Sequence, residues 1–130
     1  MKQRVISALA AFALILGMSA YPAFSQTQGD PDEGADLFDS YCSDCHSVSA
    51  KGLNKKGPTL FHVIGRKAGI SPGFKYSAQM QTSGIVWTPE RISAYLANPK
   101  GIVPQGIMKF KGMPKAQERA DVIAYLRNPD

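Results

Sequence analysis

The sequence predicts an all-α protein built from four to five short helices. Two helix starts are marked by an N-cap residue followed by proline, at Asp30-Pro31 and at Thr88-Pro89. The apolar residues after each start recur at helical spacing, and no stretch alternates over any length in the manner of a strand. Helices this short, separated by long loops, bury little apolar surface by themselves, so we expect a further apolar group in the core.

The first 25 residues are predicted to be a secretory signal peptide that is cleaved. Lys2 and Arg4 give a positive start, residues 5–17 are almost continuously apolar, and Ala23 and Ser25 offer small side chains at the two positions that a signal peptidase reads. A retained membrane anchor is the alternative, but the apolar stretch is shorter than the roughly 20 residues that span a bilayer. Residues 26–130 then form a single domain.

The helices are predicted in order along this domain. The first has Asp30 as N-cap and Glu33 closing a capping box. Its apolar face is expected to carry Leu37, Phe38, Tyr41, Cys42 and Cys45. The other helices are expected over residues 58–64, 77–83, 89–97 and 115–127, with residues 85–87 extended. Residues 47–57, 66–76 and 100–114 are predicted to be loops.

Charge excludes one class of function. The chain has 15 Lys and Arg against 10 Asp and Glu, and its net charge of +5 falls to about +3 when Lys2 and Arg4 leave with the signal peptide. Six of the ten acidic residues lie between Asp30 and Asp44, so the molecule has a dipole. The dense basic clusters with interleaved aromatic residues that are typical of nucleic-acid binding are missing. We expect no nucleic-acid partner.

One motif carries recognisable chemistry, the run Cys42-Ser43-Asp44-Cys45-His46. CxxCH is the attachment signature of haem c, because two thiols on one helical turn can bond both vinyl groups at one porphyrin edge while the histidine is directed at the iron. A disulfide or thioredoxin-like site needs no histidine, and structural zinc needs more ligands than the remaining His62 supplies. The sequence therefore predicts one haem c, bound covalently through Cys42 and Cys45.

A six-coordinate electron carrier also needs a second axial ligand. The candidates outside the signal peptide are Met80, Met108, Met113 and His62. Met108 ends a loop rich in glycine and proline, residues 104–108, which can cross the distal face and hold a thioether there. Met113 is its main competitor, and a methionine in a small protein is more often a flexible core residue than a ligand.

The chain resembles the class I cytochromes c, the mitochondrial type and its bacterial soluble relatives, over essentially its whole mature length. The matching segments are Gly34 with Phe38, and residues 42–46, 57–60, 65–67, 72–76, 84–87, 95–100, 108–110 and 118–126. The resemblance implies the class I cytochrome c fold, in which four to five short helices wrap around one covalently attached haem. It also implies that Gly34 and Phe38 pack across the last helix near Val122 and Tyr125.

The resemblance implies roles for individual residues. Met108 falls on the axial methionine of the family, which selects it over Met113, so that His46 and Met108 would bind the metal. The carbonyl of Pro58 would accept a hydrogen bond from the second ring nitrogen of His46, and Tyr95 would lie beside the axial sulfur. The partners of the two haem propionates would be Arg66, Tyr76 and Trp87.

The sequence departs from the family around the haem. Met80 stands where the family typically has asparagine, Gly106 replaces a threonine, and Gln105 and Ile107 replace glycine and lysine. These changes remove hydrogen-bond donors and a charge. A basic docking ring is expected from Lys55, Lys56, Lys100, Lys109, Lys111 and Lys115. Tyr41 and Ile107 stand where many relatives carry lysine.

The predicted function is that of a soluble periplasmic one-electron carrier, a monomer and not an enzyme, without stable membrane insertion. Its partners would be membrane-bound redox complexes of a respiratory chain or a photosynthetic system. Examples are a cytochrome bc complex and a terminal oxidase or photosynthetic reaction centre, docked transiently through charge. The alternative is a haem peroxidase or ligand-binding sensor with a labile Met108, and a haem-free module with a Cys42–Cys45 disulfide is a third reading.

Overall fold

Five helices make up the regular structure of residues 27–129, which are the residues that the computed structural model describes. They are α1 (Pro31–Tyr41), α2 (Ala78–Thr82), α3 (Pro89–Ala97), α4 (Pro99–Ile102) and α5 (Ala116–Arg127). Within the same residues the β-structure amounts to one antiparallel bridge between Lys67 and Val86. The predicted all-α class is confirmed. The predicted signal peptide, residues 1–25, lies outside the described residues.

The helices begin where the capping signals predict. The Asp30 side chain accepts a hydrogen bond from the Asp32 N–H at 2.9 Å, and the Thr88 hydroxyl accepts one from the Arg91 N–H at 3.3 Å. Ser77 caps α2 in the same way. Each cap satisfies a backbone donor that has no partner inside its helix. In the described part of the chain, no helix is long and apolar enough to cross a membrane.

The prediction of a helix over residues 58–64 is wrong. This segment is a series of turns, because two of its backbone donors bond to the preceding loop and the Val63 N–H closes a turn onto the Leu60 carbonyl. The Leu60 N–H donates to the Ser47 carbonyl at 2.7 Å, and the Thr59 N–H donates to Asn54 Oδ1 at 2.9 Å. His62 has a φ of 50°, in the left-handed region that a right-handed helix excludes.

Two further boundaries differ from the prediction. Helix α1 ends at Tyr41, which is 59% exposed and therefore not on the buried face. Cys42 to Cys45 form a turn, closed by hydrogen bonds from the N–H groups of Cys45 and His46 to the Cys42 carbonyl. The predicted loop after residue 99 begins with helix α4, because the Asn98 side chain accepts from the Gly101 N–H at 3.0 Å and caps a new turn.

The core lies where α1 crosses α5, as the resemblance implied. A Cβ added to Gly34 would overlap the Asp121 carbonyl and lie 2.9 Å from Tyr125 Cβ, so only glycine permits this approach of the two helices. The Phe38 and Tyr125 rings pack beside it with centroids 5.5 Å apart. The buried apolar cluster consists of Phe38, Val63, Ile92, Met113, Val122, Ile123 and Leu126. Five of these seven residues also line a large cavity.

Candidate haem-binding site

A cavity of about 510 Å³ occupies the centre of the described structure. Its volume falls within the range of pockets that hold cofactors. Most of its lining is apolar and comes from helices α1, α3 and α5 together with the loops between them. The apolar lining includes Phe38, Leu60, Val63, Phe74, Ile92, Leu96, Phe110, Val122 and Leu126. The further apolar group that the sequence predicts in the core therefore has a cavity that can hold it.

All nine predicted site residues line this one cavity. They are Cys42, Cys45, His46, Pro58, Arg66, Tyr76, Trp87, Tyr95 and Met108. Of the competing ligand candidates, Met80 also lines it. Met113 is instead a core residue, 3% exposed, and His62 is exposed and stacked on Phe61 with ring centroids 3.9 Å apart. The cavity therefore restricts the methionine candidates to Met108 and Met80.

His46 is held by its second ring nitrogen. Nδ1 lies 2.7 Å from the Pro58 carbonyl oxygen. Because a carbonyl can only accept, Nδ1 carries the proton and Nε2 keeps its lone pair for a metal. Burial lowers the pKa of His46, the bond to Pro58 opposes that shift, and nearby Lys55 adds to it. The net shift favours the neutral ring, the form that binds metals.

The Cys42 thiol does not have the properties of a reactive redox cysteine. Burial raises the pKa of Cys42 to about 11, and the neighbouring Cys45 adds to the shift. Reactive thiols and thiolate metal ligands need a lowered pKa. Neither cysteine is in a disulfide among the described residues, where no cluster of three His, Cys, Asp or Glu side chains could hold a metal ion either. The structure thus gives no support to a disulfide module or a zinc site.

The thioether of Met108 has a polar neighbour. The Tyr95 hydroxyl donates to Met108 Sδ at 3.9 Å, and the Tyr95 ring packs on Trp87 with centroids 5.0 Å apart. Burial raises the pKa of Tyr95, so the hydroxyl keeps its proton at neutral pH and remains a donor. Sulfur is a weak acceptor, and this contact leaves a lone pair of the thioether available.

Arg66 contributes a fixed positive charge to the cavity wall. Its guanidinium donates to the carbonyls of Phe61 at 3.0 Å and Thr59 at 2.7 Å. Burial lowers its pKa and Tyr76 opposes that shift, but a guanidinium stays charged in proteins. The Tyr76 hydroxyl accepts from the Ser71 N–H at 3.2 Å and keeps its own proton to donate. A carboxylate in the cavity would meet charge and donors here.

Sequence reasoning missed two residues that shape this site. A Cβ on Gly57 would lie 2.8 Å from both ring nitrogens of His46, so the glycine lets the backbone pass against the imidazole. Asn54 ties the loops together: its Oδ1 accepts from Thr59 N–H, and its Nδ2 donates to the Pro72 carbonyl at 2.8 Å. The glycine directly before Pro58 was a usable signal, since close backbone approach is one reason for glycine.

All six lysines of the predicted docking ring are exposed, and they differ in the contacts that they make. Lys56 and Lys109 line the cavity and are exposed. Lys55 donates to the Ser43 carbonyl at 2.6 Å, Lys100 donates to the Gly106 carbonyl, and Lys115 pairs with Glu118 at 2.7 Å. The surface beside Met108 also carries Ile107, which is 56% exposed.

These residues fit a covalently attached haem c. Two adjacent thiols, a neutral imidazole and a thioether share one mostly apolar cavity that also offers a fixed positive charge. The combination defines a small helical c-type haem protein.

The comparisons with known proteins name the family. The cytochrome c family model matches residues 31–129. The chain is 49% identical over 102 residues to cytochrome c2 of Rhodopila globiformis, covering 78% of this chain and 95% of that protein. It is 42% identical over 119 residues to cytochrome c2 of Rhodomicrobium vannielii, covering 92% and 90%. The structure of cytochrome c2 from Rhodospirillum centenum matches with a TM-score of 0.71 at 39% identity, covering 76% of this chain and 97% of that one.

The chain belongs to the cytochrome c family. This membership confirms the predicted class I cytochrome c fold, a covalent haem c as cofactor, and electron transfer rather than enzymatic catalysis as the activity.

Proposed function

We propose that this cytochrome is a diffusible periplasmic one-electron carrier whose haem is ligated by His46 and Met108. One observation carries the proposal: both thiols and both ligand side chains line a single apolar cavity. Each ligand is also held by a hydrogen bond, His46 by the Pro58 carbonyl and Met108 by the Tyr95 hydroxyl. A carrier needs both ligands held in place, so that little rearranges when the electron arrives or leaves.

When bound, the haem supplies one-electron exchange between ferric and ferrous iron. The protein tunes that exchange through its own groups. The Pro58 carbonyl fixes the orientation of the His46 ring and raises its basicity. A thioether as second ligand raises the reduction potential relative to two histidines. The apolar walls exclude water, which disfavours the form with greater net charge.

Arg66, Tyr76 and Trp87 are proposed to receive the haem propionates. Arg66 is charged and already aligned by two carbonyls, and all three side chains reach the same cavity. Buried carboxylates are tolerated when they meet charge and hydrogen-bond donors. These residues therefore stabilise the oriented cofactor.

The proposed partners are membrane-bound redox complexes, such as a cytochrome bc complex and a terminal oxidase or photosynthetic reaction centre. Lys56 and Lys109 support this, because both are exposed and both line the cavity, which places positive charge near the cofactor. Docking through such charges is transient and weakens with salt.

Charge reversal tests this docking. In Lys56→Glu and Lys109→Glu the second-order rate of reduction by cytochrome bc-containing membranes should fall at least severalfold at low salt. The gap to the wild type should narrow as salt is added. Lys51→Glu, at an exposed site that does not line the cavity, controls for net charge. Equal slowing in all three variants would count against a defined docking face.

The periplasmic location rests on the proposed removal of residues 1–25, which leaves residues 26–130 as one domain. The pattern of charge, apolar core and small residues supports it. The similarity to the Rhodomicrobium vannielii protein covers 92% of this chain, so it extends into the residues before 27. The mass of the holoprotein recovered from a periplasmic fraction gives its N-terminus directly. A holoprotein that retains residues 1–25 would contradict this part of the proposal.

The ligand assignment is tested by the near-infrared band of the ferric protein, which reports an iron–methionine bond. Met108→Ala should abolish the band, whereas Met80→Leu, Met113→Leu and His62→Ala should keep it. Retention of the band in Met108→Ala would overturn the assignment. A wild type without the band, with measurable peroxidase activity, would instead support the alternative of an open distal site.

A further inference from the structure

The segment that carries Met108 is weakly bonded along its length. Residues 107–112 make no backbone hydrogen bond to any other residue in the part of the chain that the structure describes. The Tyr95 hydroxyl contact to the Met108 sulfur is their one described hydrogen bond. The position of Met108 therefore depends on the packing of Phe110 against the core and on the two ends of the segment.

The downstream end is held by one backbone hydrogen bond and by the side chain of Arg119. The Met113 N–H donates to the Leu96 carbonyl at 2.7 Å, and the Arg119 guanidinium bonds to the carbonyls of Met113 and Pro114 at 2.8 and 2.7 Å. The Met113 side chain is buried in the core. This end is fixed irrespective of what happens at Met108.

The upstream end is held differently. Gly106 N–H donates to the Val103 carbonyl at 2.9 Å, which closes a local turn. That turn is joined to the rest of the molecule by the buried Val103 side chain and by two polar side chains. Gln79 of α2 accepts from the Gln105 N–H at 2.6 Å, and Lys100 of α4 donates to the Gly106 carbonyl.

We infer that Gln79 and Lys100 are positioning residues that hold the upstream end of the segment and so set the strength of the Met108–iron bond. They bond to the backbone of two adjacent residues, Gln105 and Gly106, and they do so from two different helices. Gly106 and Gln105 present no side chain of their own to this network, so these two external side chains supply the polar links. The inference rests on the proposed ligation by Met108.

The two links should shift the equilibrium between Met108 bound to the iron and Met108 detached from it. A ligand that needs the iron site vacated binds with an apparent affinity scaled by the detached fraction. A hydrogen bond contributes about 0.5–1.5 kcal/mol, which corresponds to about a 2- to 10-fold change in that fraction. Because the links hold neighbouring peptides, we expect the effects of removing both to be at least as large as either alone.

The detached fraction of Met108 is measured by imidazole binding to the ferric holoprotein at neutral pH. Binding is followed through the loss of the near-infrared band. In Gln79→Leu and in Lys100→Met the apparent Kd for imidazole should fall about 2- to 10-fold. Gln79→Glu keeps an acceptor and Lys100→Arg keeps a donor, so both should return towards the wild-type Kd. If either apolar variant fails to incorporate haem, Gln79→Ala or Lys100→Ala takes its place.

The chain offers matched controls. Gln81 is an exposed glutamine on the same helix α2, and Lys51 is an exposed lysine outside the cavity lining. Gln81→Leu and Lys51→Met should bind imidazole as the wild type does. Wild-type Kd values in both Gln79→Leu and Lys100→Met would overturn the inference.

Met108→Ala separates this inference from the proposed function. If that variant keeps the near-infrared band, the ligation itself fails and this inference with it. If it loses the band while Gln79→Leu and Lys100→Met bind imidazole like the wild type, the ligation stands and only the positioning role fails.

Discussion

The two segments that carry the proposed iron ligands are built in different ways. On the histidine side, the N–H groups of His46 and Gly57 bond to the Cys42 and Cys45 carbonyls, and Pro58 accepts from the ring. On the methionine side, residues 107–112 make no backbone hydrogen bonds within the described chain. His46 is therefore fixed by covalent geometry and by backbone hydrogen bonds, whereas Met108 is held mainly through the ends of its segment.

This difference shows at which ligand segment single substitutions can change the reduction potential. Backbone hydrogen bonds persist whatever side chains surround them, so the histidine side is changed only by substitutions that alter its packing. Side-chain links are removed by single substitutions, so the methionine side is adjustable. A family in which one ligand is constant and the other is tunable can vary its reduction potential without losing its cofactor.

The largest expected effect is at the downstream end of the methionine segment. Met113 is 3% exposed and packs in the core cluster. Met113→Ala should lower the free energy of unfolding by about 2–5 kcal/mol, because it leaves a cavity at a site fixed by backbone bonds. Denaturant unfolding of the holoprotein measures the change.

The conservative change at the same position separates packing from ligation. Met113→Leu should cost less than about 1.5 kcal/mol and leave the near-infrared band intact, whereas Met108→Leu should remove the band. If Met113→Leu removed the band and Met108→Leu kept it, Met113 would be the ligand. The contrast between a methionine in the core and a methionine on the weakly bonded segment would then disappear.

The next effect tests the histidine side. Gly57→Ala places a Cβ 2.8 Å from both ring nitrogens of His46, so the ring or the backbone must shift. Overpacking of this kind costs about 1–3 kcal/mol, and the spectrum of the ferrous protein should change with it. The matched control is Gly65→Ala.

Gly65 has a φ of 81° and nothing within 4 Å of an added Cβ. Its alanine variant should lose stability through backbone strain alone and keep the wild-type ferrous spectrum. A normal spectrum in Gly57→Ala would mean that the imidazole is not confined by this backbone contact.

Much of this architecture could be predicted from the sequence because it depends on local signals. Asp30-Pro31 and Thr88-Pro89 fix helix starts through caps that span a few residues. The resemblance to the class I cytochromes c placed Gly34 at a close helix crossing, which the structure shows. The CxxCH motif located the attachment site by its spacing.

The remainder depends on contacts between distant segments. Residues 58–64 have helix-compatible side chains, but the Leu60 N–H bonds to the Ser47 carbonyl, more than ten residues earlier in the chain. Gln79 and Gln105 are 26 residues apart, and nothing in either local pattern indicates the other. Lys100, assigned to docking by its charge, also donates to the Gly106 carbonyl. Composition gives the charge of a side chain but not its nearest partner.

A smaller effect tests the failed helix directly. His62 holds a φ of 50°, so glycine should suit the position better than alanine does. We expect His62→Gly to exceed His62→Ala in unfolding free energy by about 1 kcal/mol. Both variants lose the stacking on Phe61, so the comparison isolates the backbone. In a helix the order would be reversed, because alanine is there the more stable residue, and that order would restore the helix over residues 58–64.

The smallest effect concerns the hydroxyl beside the methionine sulfur. Tyr95→Phe removes the donor that lies 3.9 Å from Met108 Sδ and keeps the ring that packs on Trp87. Because a thioether accepts weakly, we expect less than about a threefold fall in the apparent Kd for imidazole, smaller than the change for Gln79→Leu. Tyr41→Phe, at a 59% exposed site, should show no change. A change larger than tenfold in Tyr95→Phe would mean that the direct contact with sulfur, rather than the ends of the segment, holds the methionine, and the contrast between the two ligand segments would then disappear.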